Sequence, residues 1–220
     1  MTLTLPISKT MLTLADVGDR LKLQVSLDQN FFLEWRQELP DLTHSERGEI
    51  DRLQARFAAH RYRGLVAEGA VDKLLLSPLL DLVGFYEPEF EIRSEETITF
   101  EVSDRDEILR GRMDTLIIRD GLWVLVLEAT RTAMVALAVP QVLAYMMASP
   151  HPDRPVYGLV SNGEEFIFLK VLASPKPTYS TSKLYATFFP PDSQDLAEVV
   201  RVLKQMKILA VAASRGIHLD

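Results

Sequence analysis

Cysteine is absent from the 220 residues, which excludes a disulfide framework, a thiolate zinc site and a thiol nucleophile. Histidine is scarce, and the 4 present (His44, His60, His151 and His218) are scattered without metal-ligand spacing. The chain has no Walker-type phosphate loop, so it carries no ATP-driven motor of that kind; Ser161-Asn162-Gly163 reads as a turn. Long apolar runs are also missing. None approaches the ~18–20 residues that a membrane helix needs, and the most apolar strand-like stretch, Leu122 to Leu127, stops at Glu128. The opening MTLTLPISKT has neither a basic start nor a long apolar stretch, so no signal peptide is expected and a cytoplasmic protein is the default. Positive charge is in short supply: 24 Lys and Arg against 31 Asp and Glu give a net charge of −7 and a pI of about 5.2. That balance argues against a protein that coats nucleic acid by charge alone, while leaving room for an acidic, metal-holding cleft.

What is present is ordinary globular composition, 47% apolar and 25% charged. It suffices for one domain with a substantial core, or one domain with an appended arm. Residues 1–42 read as an irregular arm packing on the core, with a strand-like segment over Leu21 to Val25 and a short helix from Asp28 to Glu38. Phe31, Phe32 and Trp35 share one face of that helix, as a clamp onto the main domain rather than a platform for stacking bases. The main domain, 43–220, opens with a helical period in which Thr43 or Ser45 caps, Glu46 sits in the first turn, and Ile50, Leu53 and Phe57 recur on one side. A second helix spans Leu65 to Leu82; Pro78 should bend or divide it, and Gly84 should close it.

After Pro88 the period changes to alternation. Strands are expected over Glu96 to Val102, Ile108 to Ile118 and Leu122 to Glu128, with Asp120-Gly121 as a hairpin turn between the last two. The third is apolar almost throughout and should be central. A helix over Met134 to Ala148 follows, then strands over Val156 to Val160 and Glu165 to Val171 joined at Asn162-Gly163. A Pro/Ser/Thr loop over Ser174 to Thr181, a short edge strand over Leu184 to Phe188 and a helix capped by Asp192 and running to Ala213 complete the order. The fold class this predicts is α/β of the α+β type, a mixed sheet flanked by helices.

Two carboxylates interrupt otherwise apolar strands: Asp114 in GRMDTLIIRD and Glu128 in LWVLVLEATR. With a two-residue hairpin at Asp120-Gly121, Asp114 lies opposite Leu127 and beside Glu128, so both carboxylates can converge near a strand end. Such a pair suits a hard cation like Mg²⁺, which takes a few carboxylate oxygens together with waters and phosphate oxygens; the Ala129 carbonyl is a further donor. The other reading pairs these acids with arginines such as Arg112 and Arg131, because an acid buried without partner or ion is costly. Two arginine groups, Arg52, Arg56, Arg61 and Arg63, then Arg105, Arg110 and Arg112, form either a basic face or solvated partners of the interspersed acids.

The stretch GRMDTLIIRDGLWVLVLEATR resembles the core of the PD-(D/E)XK nuclease superfamily, and more narrowly the cyanobacterial proteins that are type I restriction enzyme R-subunit-like. The likeness extends over about residues 13–172 through KLLLSPLLDLVGFYEP, PQVLAYMMASP and VYGLVSNGEEFIFLK. It implies a restriction-endonuclease-like αβββαβ core that hydrolyses DNA phosphodiesters by a metal-activated water, with Mg²⁺ (or Mn²⁺) at Asp114 and Glu128. It also implies that Glu68 is the helix-borne acid and that Gln141 and Tyr145, as Q-x-x-x-Y, support the site or contact DNA. A homodimer, or motor and specificity subunits, are the partners it suggests. The sequence departs from the pattern at Thr130, where members that cut carry a lysine whose ammonium orients water and offsets transition-state charge. Arg131 and Lys73 are the candidate substitutes. The alternative implied is an inactive nuclease fold that binds nucleic acid or a partner subunit.

Overall fold

The computed structural model describes residues 3–64, 66–102, 106–130, 134–188 and 193–214. Among them nine strands form one mixed sheet in the order β1-β4-β5-β6-β7-β8-β2, with β3 added to β4 and β9 to β7. The strands that concern the site are β3 (Glu91–Glu101), β4 (Glu107–Arg119), β5 (Leu122–Ala129), β6 (Val156–Ser161) and β7 (Glu165–Leu172). Pairing is antiparallel from β3 to β4 to β5 and from β6 to β7, but parallel between β5 and β6. β5 lies in the middle with every residue from Val124 to Ala129 buried, the central position its apolar run predicts. The predicted αβββαβ order is thus present, as α3 to α5, β3 to β5, α6 and β6.

Helices cover both faces. On one face α3 (His44–Arg61), α4 (Glu68–Val71), α5 (Ser77–Val83) and α7 (Asp195–Ser214) bury Leu53, Phe57, Leu79 and Leu203 against Leu125, Leu127 and Phe168. On the other, α1 (Ile7–Thr10), α2 (Leu14–Leu21) and α6 (Val139–Met146) pack Ile7, Val17, Leu143 and Tyr145 against Leu116, Val126 and Val160. α3 begins at a reciprocal capping box: the Glu46 N–H donates to Thr43 Oγ1 at 3.2 Å and the Thr43 N–H to Glu46 Oε2 at 2.6 Å. Pro78 divides the second helix as predicted, through a π-helical turn over Asp72–Leu76. Without a Pro78 N–H the Leu74 carbonyl loses its usual donor, and Arg56 Nη2 fills the vacancy at 2.7 Å. Gly84 closes α5 in the left-handed conformation, φ 84°.

Four expectations need correction. Residues 28–38 form turns, not a helix: the Asp28 carboxylate accepts from the Asn30 N–H at 2.9 Å as an Asx turn, and long-range anchors take over from there. Phe32 enters the core, while Glu34 accepts hydrogen bonds from Tyr157 Oη and Lys170 Nζ. The lead-in is otherwise not irregular. β1 (Leu3–Pro6) runs parallel to β4, α2 has its own Thr13–Asp16 capping box, and β2 is confined to Gln24–Val25 because Leu21 still belongs to α2 and Lys22 turns left-handed at φ 56°. The expected loop at Ser174–Thr181 contains a strand, β8 (Thr178–Thr181), which pairs with both β7 and β2. The helix expected from Met134 starts as a 3₁₀ turn over Val135–Ala138, and regular α-helix begins only where Pro140 can occupy the first turn. β9 (Tyr185–Ala186) is a short piece of the expected edge strand, and Asp192 lies outside the described residues.

Candidate active site

Asp120 and Gly121 both take positive φ, 49° and 79°, as a primed two-residue hairpin turn demands. The register beyond the turn differs from the simple hairpin. A bulge between Ile117 and Ile118 shifts the pairing by one, so Thr115, not Asp114, faces Leu127. Continuing that register one step brings Asp114 level with Glu128. At this end of the ladder the Asp114 side chain reaches across, and its Oδ2 accepts the Ala129 N–H at 2.8 Å. The bulge therefore corrects the expected opposition and improves the convergence.

Glu128 is 9% exposed. One carboxylate oxygen, Oε1, accepts from Gln141 Nε2 at 2.8 Å; the other, Oε2, is buried with no hydrogen-bond partner among the described residues. The same Gln141 amide nitrogen donates to Tyr145 Oη at 2.7 Å, so two residues one turn apart on α6 brace the glutamate. Burial, reinforced by the negative charge of Asp114, pushes the Glu128 carboxyl up to about 9. Burial also raises Asp114; the Ala129 N–H works against that, and the charges of Glu68 and Asp72 add to it. Tyr145 is pushed above its ordinary value by burial and then by the charge of Glu128. Each shift points the same way: burial and like charge outweigh the Ala129 N–H and the positive charge of Arg112, which acts on both carboxyls.

Glu68 is the first residue of α4 and acts electrostatically on both Asp114 and Glu128. Asp72, four residues on and thus on the same helix face, was not singled out from the sequence. It bears on Asp114 while accepting a hydrogen bond from Ser77 Oγ at 3.0 Å. Its i, i+4 spacing from Glu68 and its place before Pro78 were the available signals. Gly111 was missed as well. A Cβ there would lie 2.6 Å from Tyr145 Cε1 and 3.0 Å from Ile7 Cδ1, so this glycine lets the Tyr145 ring lie against β4; a glycine inside a strand is the sequence sign of such close approach.

Thr130 follows β5 as a buried residue whose N–H donates to the Ser161 carbonyl at 2.9 Å. Arg131 lies outside the described residues. Lys73 is not at the site: it lines a groove of about 550 Å³ between α3 and α5 with Glu49, Arg52 and Asp81. Three of the first arginine group are engaged elsewhere, Arg52 with Glu49, Arg56 with the Leu74 carbonyl and Arg61 with Glu164. Among the described residues no group of three or more His, Cys, Asp or Glu side chains is gathered closely enough to hold a metal ion. The inner set is the Asp114–Glu128 pair. Its chemistry nevertheless fits Mg²⁺, which needs only one or two carboxylates beside waters and substrate oxygens, and the partnerless Glu128 oxygen is a donor without a use inside the protein.

No protein-family model matches the chain, and neither does any curated protein. Among solved structures it is similar to a fragment described as the HsdR subunit of a type I restriction enzyme from Vibrio vulnificus YJ016, at 19% identity and a TM-score of 0.39. The similarity covers 70% of this chain and 27% of that one, so the chain spans about a quarter of its length. At that score the likeness carries no argument about activity.

Proposed function

We propose that this protein is a Mg²⁺-dependent phosphodiesterase of the PD-(D/E)XK nuclease type acting on DNA, with its reactivity lowered by Thr130. The observation that carries this reading is the Glu128 carboxyl, buried beside Asp114 with one oxygen left without a partner. A buried carboxylate of this kind is costly unless a cation or proton offsets it. Asp114 and Glu128 would hold the metal, whose bound form supplies a Lewis acid for the phosphoryl oxygens and a water of lowered pKa.

The protein's own groups then have distinct tasks. The Ala129 N–H fixes Asp114, and Gln141, steadied by Tyr145, fixes one oxygen of Glu128 so that the other faces the cation. Glu68 and Asp72 extend the acidic field, which favours a divalent cation over a monovalent one. Thr130 can hold a water through its hydroxyl but brings no positive charge to the pentacovalent phosphorus. Absence of one preorganised charge-stabilising group commonly costs about 10²–10³-fold in rate. That deficit supports a second reading, an inactive nuclease fold that keeps the cation and nucleic acid but no longer cuts. Further partners, a second copy or motor and specificity subunits, belong to the same proposal.

Nicking of supercoiled plasmid in Mg²⁺ and in Mn²⁺, beside thermal melting with and without the cation, tests both readings. Wild type should melt higher in millimolar Mg²⁺, as a ligand of the folded state alone requires, and Asp114→Ala should remove that rise. Thr130→Lys should raise nicking by about 10²-fold or more if the scaffold is merely impaired. A variant that folds and binds cation but still fails to nick supports the inactive reading. No cation-dependent melting shift in wild type would overturn the metal site itself.

A further inference from the structure

The acids of the site need a positive counterpart once a phosphate joins them, and β4 offers one. Gly111 and Met113 face α6, where Tyr145 lies against the glycine and Met113 is buried in the same core. The positive charge of Arg112 bears on both Asp114 and Glu128, and Glu68 of α4 and Asp72 just after it act on Asp114. Arg112 stands one strand period before Asp114. Its guanidinium is 63% exposed and meets only a loose partner, Glu95, at 3.6 Å, itself 69% exposed. So exposed a pair contributes little and gives way readily.

Glu95 is an unusual residue. It takes a left-handed backbone, φ 55°, and interrupts the β3–β4 ladder between Ser94↔Thr115 and Glu96↔Met113, level with Asp114. A non-glycine residue in this conformation is strained and persists where the surroundings hold it. Glu95 sets a carboxylate beside the Arg112 guanidinium without locking it in. Arg56, Arg61 and Arg93 have firmer engagements, with a carbonyl, with Glu164, and with Glu91 and Glu96.

We infer that Arg112 is the phosphate-binding cation of this site, released from Glu95 when a phosphodiester arrives and supplying from β4 the positive charge that Thr130 does not supply from the end of β5. The inference rests on the proposed nuclease-type reading. A guanidinium is suited to the task because it presents paired N–H donors to two phosphate oxygens and stays charged at any working pH. It is a poor proton acceptor, so its contribution is to bind and offset charge rather than to activate water.

Fluorescence anisotropy with a short labelled DNA duplex tests this, with Ca²⁺ as the hard cation so that cleavage does not intrude. The variants are Arg112→Ala, Arg112→Lys, Arg110→Ala, Glu95→Ala and Asp114→Ala, each checked for native circular dichroism. Arg112→Ala should weaken binding about tenfold and flatten the dependence of log K on log salt by about one ion. Arg112→Lys should keep the salt slope, Arg110→Ala should stay near wild type, and Glu95→Ala should bind at least as tightly as wild type. If Arg112→Ala binds like Arg110→Ala while wild-type binding still needs Ca²⁺ and Asp114, the inference falls and the nuclease-type reading survives. If wild type shows no cation-dependent binding at all, both fall.

Discussion

Glu128 sets a carboxyl among apolar neighbours at the end of β5, and its behaviour should differ sharply with and without a cation. In the metal-free fold it titrates at about 9 against an ordinary 4.5. Because the folded-state value is the higher one, the bound proton stabilises the fold. That contribution is complete below the unfolded value and is lost as pH rises through the folded one. Wild type in a chelator should therefore lose stability, on the order of a few kcal/mol, between about pH 5 and 9. Glu128→Gln keeps the shape without the charge, so it should flatten this slope and melt above wild type at about pH 8. Calorimetric melting across that range decides the matter: equal slopes for the two proteins would mean the carboxyl is solvated, not buried.

At the scale of elements, β4 does more than carry Asp114. Its Gly111 leaves room for Tyr145 on α6, and Tyr145 shares a donor with Glu128 through Gln141. Gly111→Ala would place a methyl 2.6 Å from the Tyr145 ring, which the ring must vacate. We expect a loss of about 1–3 kcal/mol in urea unfolding, the usual range for overpacking, together with a smaller Mg²⁺-induced melting shift because Gln141 is dragged from Glu128. An unchanged Mg²⁺ shift in a destabilised variant would show that the brace does not matter to the cation.

Legibility in the sequence followed the range of the forces involved. The Thr43–Glu46 cap, the Gly84 terminus and the Asp120-Gly121 turn were readable because each is decided within a few residues. The bulge at Ile117–Ile118 was not, since alternation alone says nothing about where a strand slips. Residues 28–38 have helical spacing, but their conformation is dictated by what Phe32 and Glu34 meet far along the chain. The short strands β1, β2 and β8 have too few residues for a period to show. The same division runs through the site. Asp114 and Glu128 stand out against apolar strands and the Gln141–Tyr145 spacing is local, whereas Asp72 and Gly111 acquire meaning only from neighbours on other elements.

At the scale of the molecule, residues 3–23 are built into the sheet and into the core beneath α6. Ile7, Met11, Val17, Leu21 and Leu23 are all buried there, and at about 1.5–3 kcal/mol for each large apolar side chain their burial rivals the ~5–15 kcal/mol net stability of a typical domain. A chain beginning at Thr43 should therefore fail to melt cooperatively, as followed by near-ultraviolet circular dichroism. A sharp transition near the wild-type temperature would show instead that the segment is dispensable.

The pairing of β1 with β4 also bears on how the protein is made. Leu3 to Pro6 leave the ribosome about a hundred residues before their partners, Glu107 to Arg110; at ~5–20 residues per second that is a wait of several seconds. β2 waits longer still, for Thr178 and Tyr179. During that interval Leu3, Leu5 and Ile7 have nowhere to go, and the strand bearing Asp114 emerges still needing an older neighbour. The nascent chain should thus present Leu3 to Ile7 to holding chaperones until β4 has emerged.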